Sequence, residues 1–87
     1  MNNLNQIENI SRACLNYLTS DPQELNNFMQ YAGYDPQTLR NSIGKKELNA
    51  GLMDYFASNE QALLAMCAMS DFDAKYFMKV WQVSQNS

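Results

Sequence analysis

Eighty-seven residues, 46% apolar and 17% charged, suffice for one hydrophobic core and are too apolar for a disordered chain. Six basic residues stand against nine acidic ones, a net charge of −3. A phosphate backbone or an anionic lipid surface needs a clustered positive face, which this balance does not offer.

The chain begins Met1-Asn2-Asn3-Leu4, with no basic region and no apolar stretch, so no signal peptide is expected and the cytoplasm is the expected compartment. Leu4, Ile7, Ile10, Cys14, Leu15, Tyr17 and Leu18 then fall within an arc of about 160° at 100° per residue. That spacing predicts an amphipathic first helix over 3–19. Asp21-Pro22-Gln23-Glu24 joins an N-cap acceptor to a proline at the first helical position and a glutamate three residues after the cap, which starts a second helix over 22–32. Its apolar stripe is Leu25, Phe28, Met29 and Ala32, with Asn26, Asn27 and Gln30 opposite. Gly33 sits where a left-handed C-terminal cap is expected.

Asp35-Pro36 repeats the cap-and-proline signal for a short third helix over 36–43, with Leu39 and Ile43 as its inward edge and Gly44 as a second left-handed cap. Leu48, Leu52, Tyr55 and Phe56 give a fourth helix over 46–57 its apolar stripe. Ser58-Asn59-Glu60-Gln61 reads as a capping box with Ser58 as the cap, opening a fifth helix over 59–69. Asp73 precedes a sixth over 73–83. No segment alternates with period two, so no strand is predicted. The expected fold class is all-α: a compact bundle of about six short helices in one domain, 1–87.

Residues 10–43 laid over 48–81, an offset of 38 without a gap, align the caps. Tyr17-Leu18-Thr19-Ser20 falls on Tyr55-Phe56-Ala57-Ser58, and Tyr34-Asp35 on Phe72-Asp73. Identity is 5 of 34 positions, too low to argue from by itself. The coincidence of two N-caps argues more strongly, because caps fix helix starts physically. The chain is therefore read as two three-helix repeats related by pseudo-twofold symmetry, against the plain alternative that short helical hairpins resemble one another.

The copies differ in one place. Asn26, Asn27, Gln30 and Tyr31 of the second helix become Leu64, Ala65, Ala68 and Met69 in the fifth, which is then apolar on every side. Such a helix is either surrounded by its own domain or covered by another molecule. On the first reading the fifth helix is the buried centre of the bundle. On the second, Leu64, Ala68 and Met69, extended by Met78 or Trp81, form a surface for dimerisation or for a partner helix.

The chain resembles a family of short bacterial proteins, chiefly alphaproteobacterial, catalogued as a domain of unknown function (family number 3572). The matching pieces are Tyr17-Leu18-x-x-Asp21-Pro22, Leu25-x-x-Phe28-x-x-x-x-Gly33, Leu39-Arg40 and Leu52-x-Asp54-Tyr55-Phe56-x-x-x-Glu60-x-x-Leu63. These are core and cap residues, so the resemblance speaks to fold and carries no catalytic residue. The family tends to an apolar residue at the position of Tyr55 and often has glycine at that of Asp71.

Little else points to chemistry. The chain has no histidine, which removes the commonest general base and metal ligand. Cys14 and Cys67 lie inside apolar stripes and are read as small buried hydrophobes, with a mutual disulfide only weakly indicated; they have no partners at zinc spacing. Asp21, Glu24, Asp35 and Glu60 are accounted for by caps and helix first turns. Asp71 and Asp73 flank Phe72 in a turn but fall short of an EF-hand loop. Gly44-Lys45-Lys46 lacks the earlier glycine of a phosphate loop, and Asn9-Ile10-Ser11 fits a glycosylation sequon but falls inside a helix. No enzyme activity, metal or cofactor is expected.

Phe28-Met29-x-x-Ala32-Gly33-Tyr34 followed by Leu39 approximates a helix-turn-helix, with Gln37, Thr38, Arg40 and Asn41 facing the major groove. The reading helix would be barely two turns long and carry one positive charge, so the phosphate contacts that supply most affinity are missing. The favoured expectation is a non-enzymatic interaction module: an adaptor, an inhibitor occupying a basic surface, or a homodimer. A helix-turn-helix regulator is the alternative.

Overall fold

The computed structural model describes residues 3–85, with side chains from residue 6 onward. Six helices follow one another: α1 (Asn3–Ser20), α2 (Pro22–Ala32), α3 (Pro36–Ser42), α4 (Lys46–Ala57), α5 (Glu60–Ser70) and α6 (Ala74–Gln85). No strand occurs among the described residues. The radius of gyration is 12.0 Å, about the 12 Å expected of a compact chain this long, so the helices fold onto one another.

Local chemistry starts and stops the helices as expected in most places. Asp21 accepts from the Glu24 amide at 3.3 Å, Asp35 from Thr38 at 2.7 Å and Asp73 from Tyr76 at 2.9 Å, each satisfying an orphan N–H of a first turn. Pro22 and Pro36 open their helices, where a missing N–H costs nothing. Gly33 closes α2 in the left-handed conformation, φ 78°. Gly44, φ 90°, turns the chain between α3 and α4 in the same way. One cap is corrected by a residue: Asn59, not Ser58, caps α5, accepting from the Ala62 amide at 3.3 Å. Ser58 still has near-helical backbone angles and closes α4, so it stands one residue too early to cap α5.

The core is one cluster to which every helix contributes. Ile10, Cys14, Leu18, Phe28, Leu48, Leu52, Phe56, Met66 and Phe77 are fully buried. Leu15 and Tyr17 pack against them from the edges of the α1 stripe and Ile7 from its N-terminal part, whereas the side chain of Leu4, expected on the same face, lies outside the described residues. Ile43 departs from expectation. It lies just past the last residue of α3, in extended backbone that turns its side chain outward, and it is 56% exposed while Leu39 anchors α3 alone.

The centre of the bundle is α4, which packs against each of the other five helices. It buries Leu48, Asn49, Leu52, Met53, Tyr55 and Phe56, half of its twelve residues. Interior aromatic rings meet edge to face: Tyr55 lies 5.3 Å from Phe56 and 5.5 Å from Phe28 between centroids. The apolar α5 is therefore not the buried central helix. Its neighbour in sequence takes that place: α4 is covered on most sides and leaves Lys46, Glu47 and Ala50 exposed.

Candidate contact surface on the fifth helix

One side of α5 faces the core through Ala62, Leu63, Met66 and Cys67. At 100° per residue the remaining arc runs Leu64, Ala68, Ala65, Met69, about 140° wide, with Gln61 as its polar member at the N-terminal end. All four apolar residues are exposed; Leu64 is 52% and Met69 50% exposed. Few other large apolar side chains reach solvent, and Leu64 and Met69 do so from adjacent turns of one helix. A scattered exposed leucine needs no account, but a contiguous apolar arc does.

The side chains proposed to extend this arc divide. Met78 on α6 does so: it lines, with Leu64, Leu63 and Ala57, an open groove of about 470 Å³ between α5 and α6, flanked by Glu60 and Lys75. Trp81 goes elsewhere. Its indole N–H donates to the Asp54 carboxylate at 3.0 Å, so it ties α6 to α4. Met69 touches α1, where the Ser20 hydroxyl lies 3.6 Å from its sulfur. Leu64, Ala68 and Met69 thus lie exposed on α5 with the half-buried Met78 beside them, while Trp81, also half-buried, links α6 to α4.

The titratable groups describe an interior built for packing. Cys14 and Cys67 are free, buried thiols. Burial pushes both thiol pKa values up, reinforced at Cys14 by the nearby Cys67 and at Cys67 by Asp73, which suppresses thiolate and hence reactivity. The Tyr55 hydroxyl donates to the Glu24 carboxylate of α2. Burial first, and that carboxylate second, push the Tyr55 phenol up. Spacing accounts for Glu24 only through the N-terminal cap and first turn of α2. A tyrosine inside an apolar stripe was the available signal, since a buried phenol needs a partner. Among the described residues no three Cys, Asp or Glu side chains come together as a metal cluster, and no helix is long and apolar enough to cross a membrane.

Gln37, Thr38, Arg40 and Asn41 of α3 are exposed. Their helix has seven residues, and its last turn carries Arg40 as its basic residue.

These features define a small all-α domain whose distinguishing mark is an uncovered apolar face on one helix. The chain matches the family described as "Protein of unknown function (DUF3572)" over residues 5–86, and it belongs to that family. No curated protein and no solved structure matches it.

Proposed function

We propose that the protein is a non-enzymatic helical interaction module of the bacterial cytoplasm, an adaptor, inhibitor or homodimer, which docks a protein partner or a second copy through the outer face of α5. The carrying observation is that Leu64 and Met69 stay half exposed on a helix with no polar outer stripe, beside a groove that also exposes Met78. Covering such a face removes apolar area from water at about 25 cal/mol per Å². Methionine side chains adapt their shape to what covers them.

Replacing Leu64 with Asp is the direct test. The variant is expected to keep its helical circular dichroism and lie within about 0.5 kcal/mol of the parent in stability, as surface changes do. It should lose self-association in light scattering, or lose a protein that the parent retains in affinity capture. Unfolding of a monomeric Leu64→Asp protein would make the residue core and end the proposal. So would a parent that stays monomeric at high concentration and retains nothing the variant does not.

We also infer that the chain is two copies of a three-helix unit, 10–43 and 48–81, arranged about a pseudo-twofold axis between α1 and α4. Backbone hydrogen bonds support this by recurring 38 residues on. Gly33 and Tyr34 both donate to the Met29 carbonyl, and Asp71 and Phe72 to that of Cys67. Asp71, like Gly33, is left-handed, φ 63°. The contacts exchange in the same sense: α1 packs on α2 and α5, while α4 packs on α5 and α2.

A further inference from the structure

A second feature lies away from α5. Where α1 passes the turn between α3 and α4, a recess of about 220 Å³ opens, lined by Glu8, Ser11, Arg12, Leu15, Ile43 and Asn49 among others. Ser11 and Asn49 are the buried polar side chains among the described residues, at 4% and 9% exposure, and both belong to this recess. The Ser11 hydroxyl has no hydrogen-bond partner. A buried polar group left unpaired costs about 1–3 kcal/mol, so a native chain retaining one calls for a reason. At the rim, Glu8 and Arg12 stand one turn apart on α1, both exposed, and neither closes an ion pair among the described residues. Ile43, anomalously exposed at the end of α3, forms with Leu15 the apolar wall.

We propose that this recess binds a small zwitterion of the amino-acid class with a short aliphatic side chain. Charges of both signs on one rim select a ligand that carries both, because an anion alone would meet Glu8 and a cation alone would meet Arg12. The Arg12 guanidinium takes the carboxylate and Glu8 the ammonium. The Asn49 amide and the unpartnered Ser11 hydroxyl, which line the same recess, bind the polar head. Leu15 and Ile43 cover the aliphatic end. A volume of 220 Å³ is below the roughly 300 Å³ at which drug-sized sites begin, yet far above what one water needs, about 10–15 Å³. None of these residues belongs to α5, so binding here stands or falls apart from the face proposed above.

The experiment is a two-dimensional amide NMR titration of the full chain with L-leucine, 4-methylpentanoate and 3-methylbutylamine. L-leucine should shift the amides of Ser11, Arg12, Gly44 and Asn49 saturably, with each half-ligand at least about tenfold weaker. Arg12→Ala, a change at an exposed site, should abolish the shifts and leave the remaining spectrum unchanged. No saturation by about 10 mM would overturn the proposal, since affinity that weak is not specific recognition. Equal binding of the amine or the acid, or undiminished binding by Arg12→Ala, would overturn it as well.

Discussion

α2 and α5 are built alike and face solvent differently. Each has eleven residues, begins behind a side chain that accepts from the third amide of the helix, and ends on a left-handed residue. Each buries one large side chain completely at the same place, Phe28 in α2 and Met66 in α5. Outside, α2 shows Asn26, Asn27 and Gln30, while α5 shows Leu64, Ala65, Ala68 and Met69. Caps and inner stripe determine where a helix starts and which side turns in. They leave the outer side unconstrained, so its composition answers to whatever lies outside the domain.

Three measurements break or sharpen this parallel. Phe28→Ala and Met66→Ala remove equivalent interior groups and should destabilise by about 3–5 and 2–5 kcal/mol respectively, a large share of the total for a chain of this size. Chemical denaturation checks this, and a negligible cost at either position would end the equivalence of the two helices.

The C-caps come next. Gly33→Ala leaves space untouched, since nothing lies within 4 Å of an added Cβ, so its cost is the left-handed backbone alone, about 1–2 kcal/mol. Asp71→Gly should change stability in the opposite direction, gaining up to about 1 kcal/mol, because aspartate already carries that strain at φ 63°. Thermal melts of both variants read out the sign.

The smallest effect concerns Tyr55. Its α1 counterpart, Tyr17, meets Phe56 edge to face at 6.0 Å between centroids and lies near the same Glu24 carboxylate. A raised folded-state phenol pKa means that the folded protein keeps a proton the unfolded chain releases. The contribution of Tyr55 to stability is therefore complete below about pH 10, the unfolded value, and declines as pH rises above it. Tyr55→Phe should flatten that decline in alkaline denaturation curves; an unchanged slope would place its origin elsewhere.

What the sequence made legible follows from how locally each feature is determined. Asp21, Asp35, Asp73, Gly33 and the two prolines act within one turn of their own position, and their roles read directly. Ser58 and Asn59 are both competent caps, and only the backbone angles of Ser58 decide between them. The inner stripes of α1, α2 and α4 were legible because polar residues lie opposite. On α5 apolar residues surround the axis, so periodicity could not tell inside from outside, and the choice of α4 as the centre depends on how six helices pack. Trp81 looked like a surface anchor because composition cannot show a carboxylate 27 positions earlier waiting for its N–H. Ser11 and Asn49 look unremarkable in a polar-rich chain, and burial alone singles them out.

Trp81 is the single tryptophan of the chain, and its indole ties α6 to Asp54 of α4. Its fluorescence accordingly acts as a built-in gauge of one event, the seating of α6 on the central helix. A shift in emission wavelength marks the separation of α6 from α4.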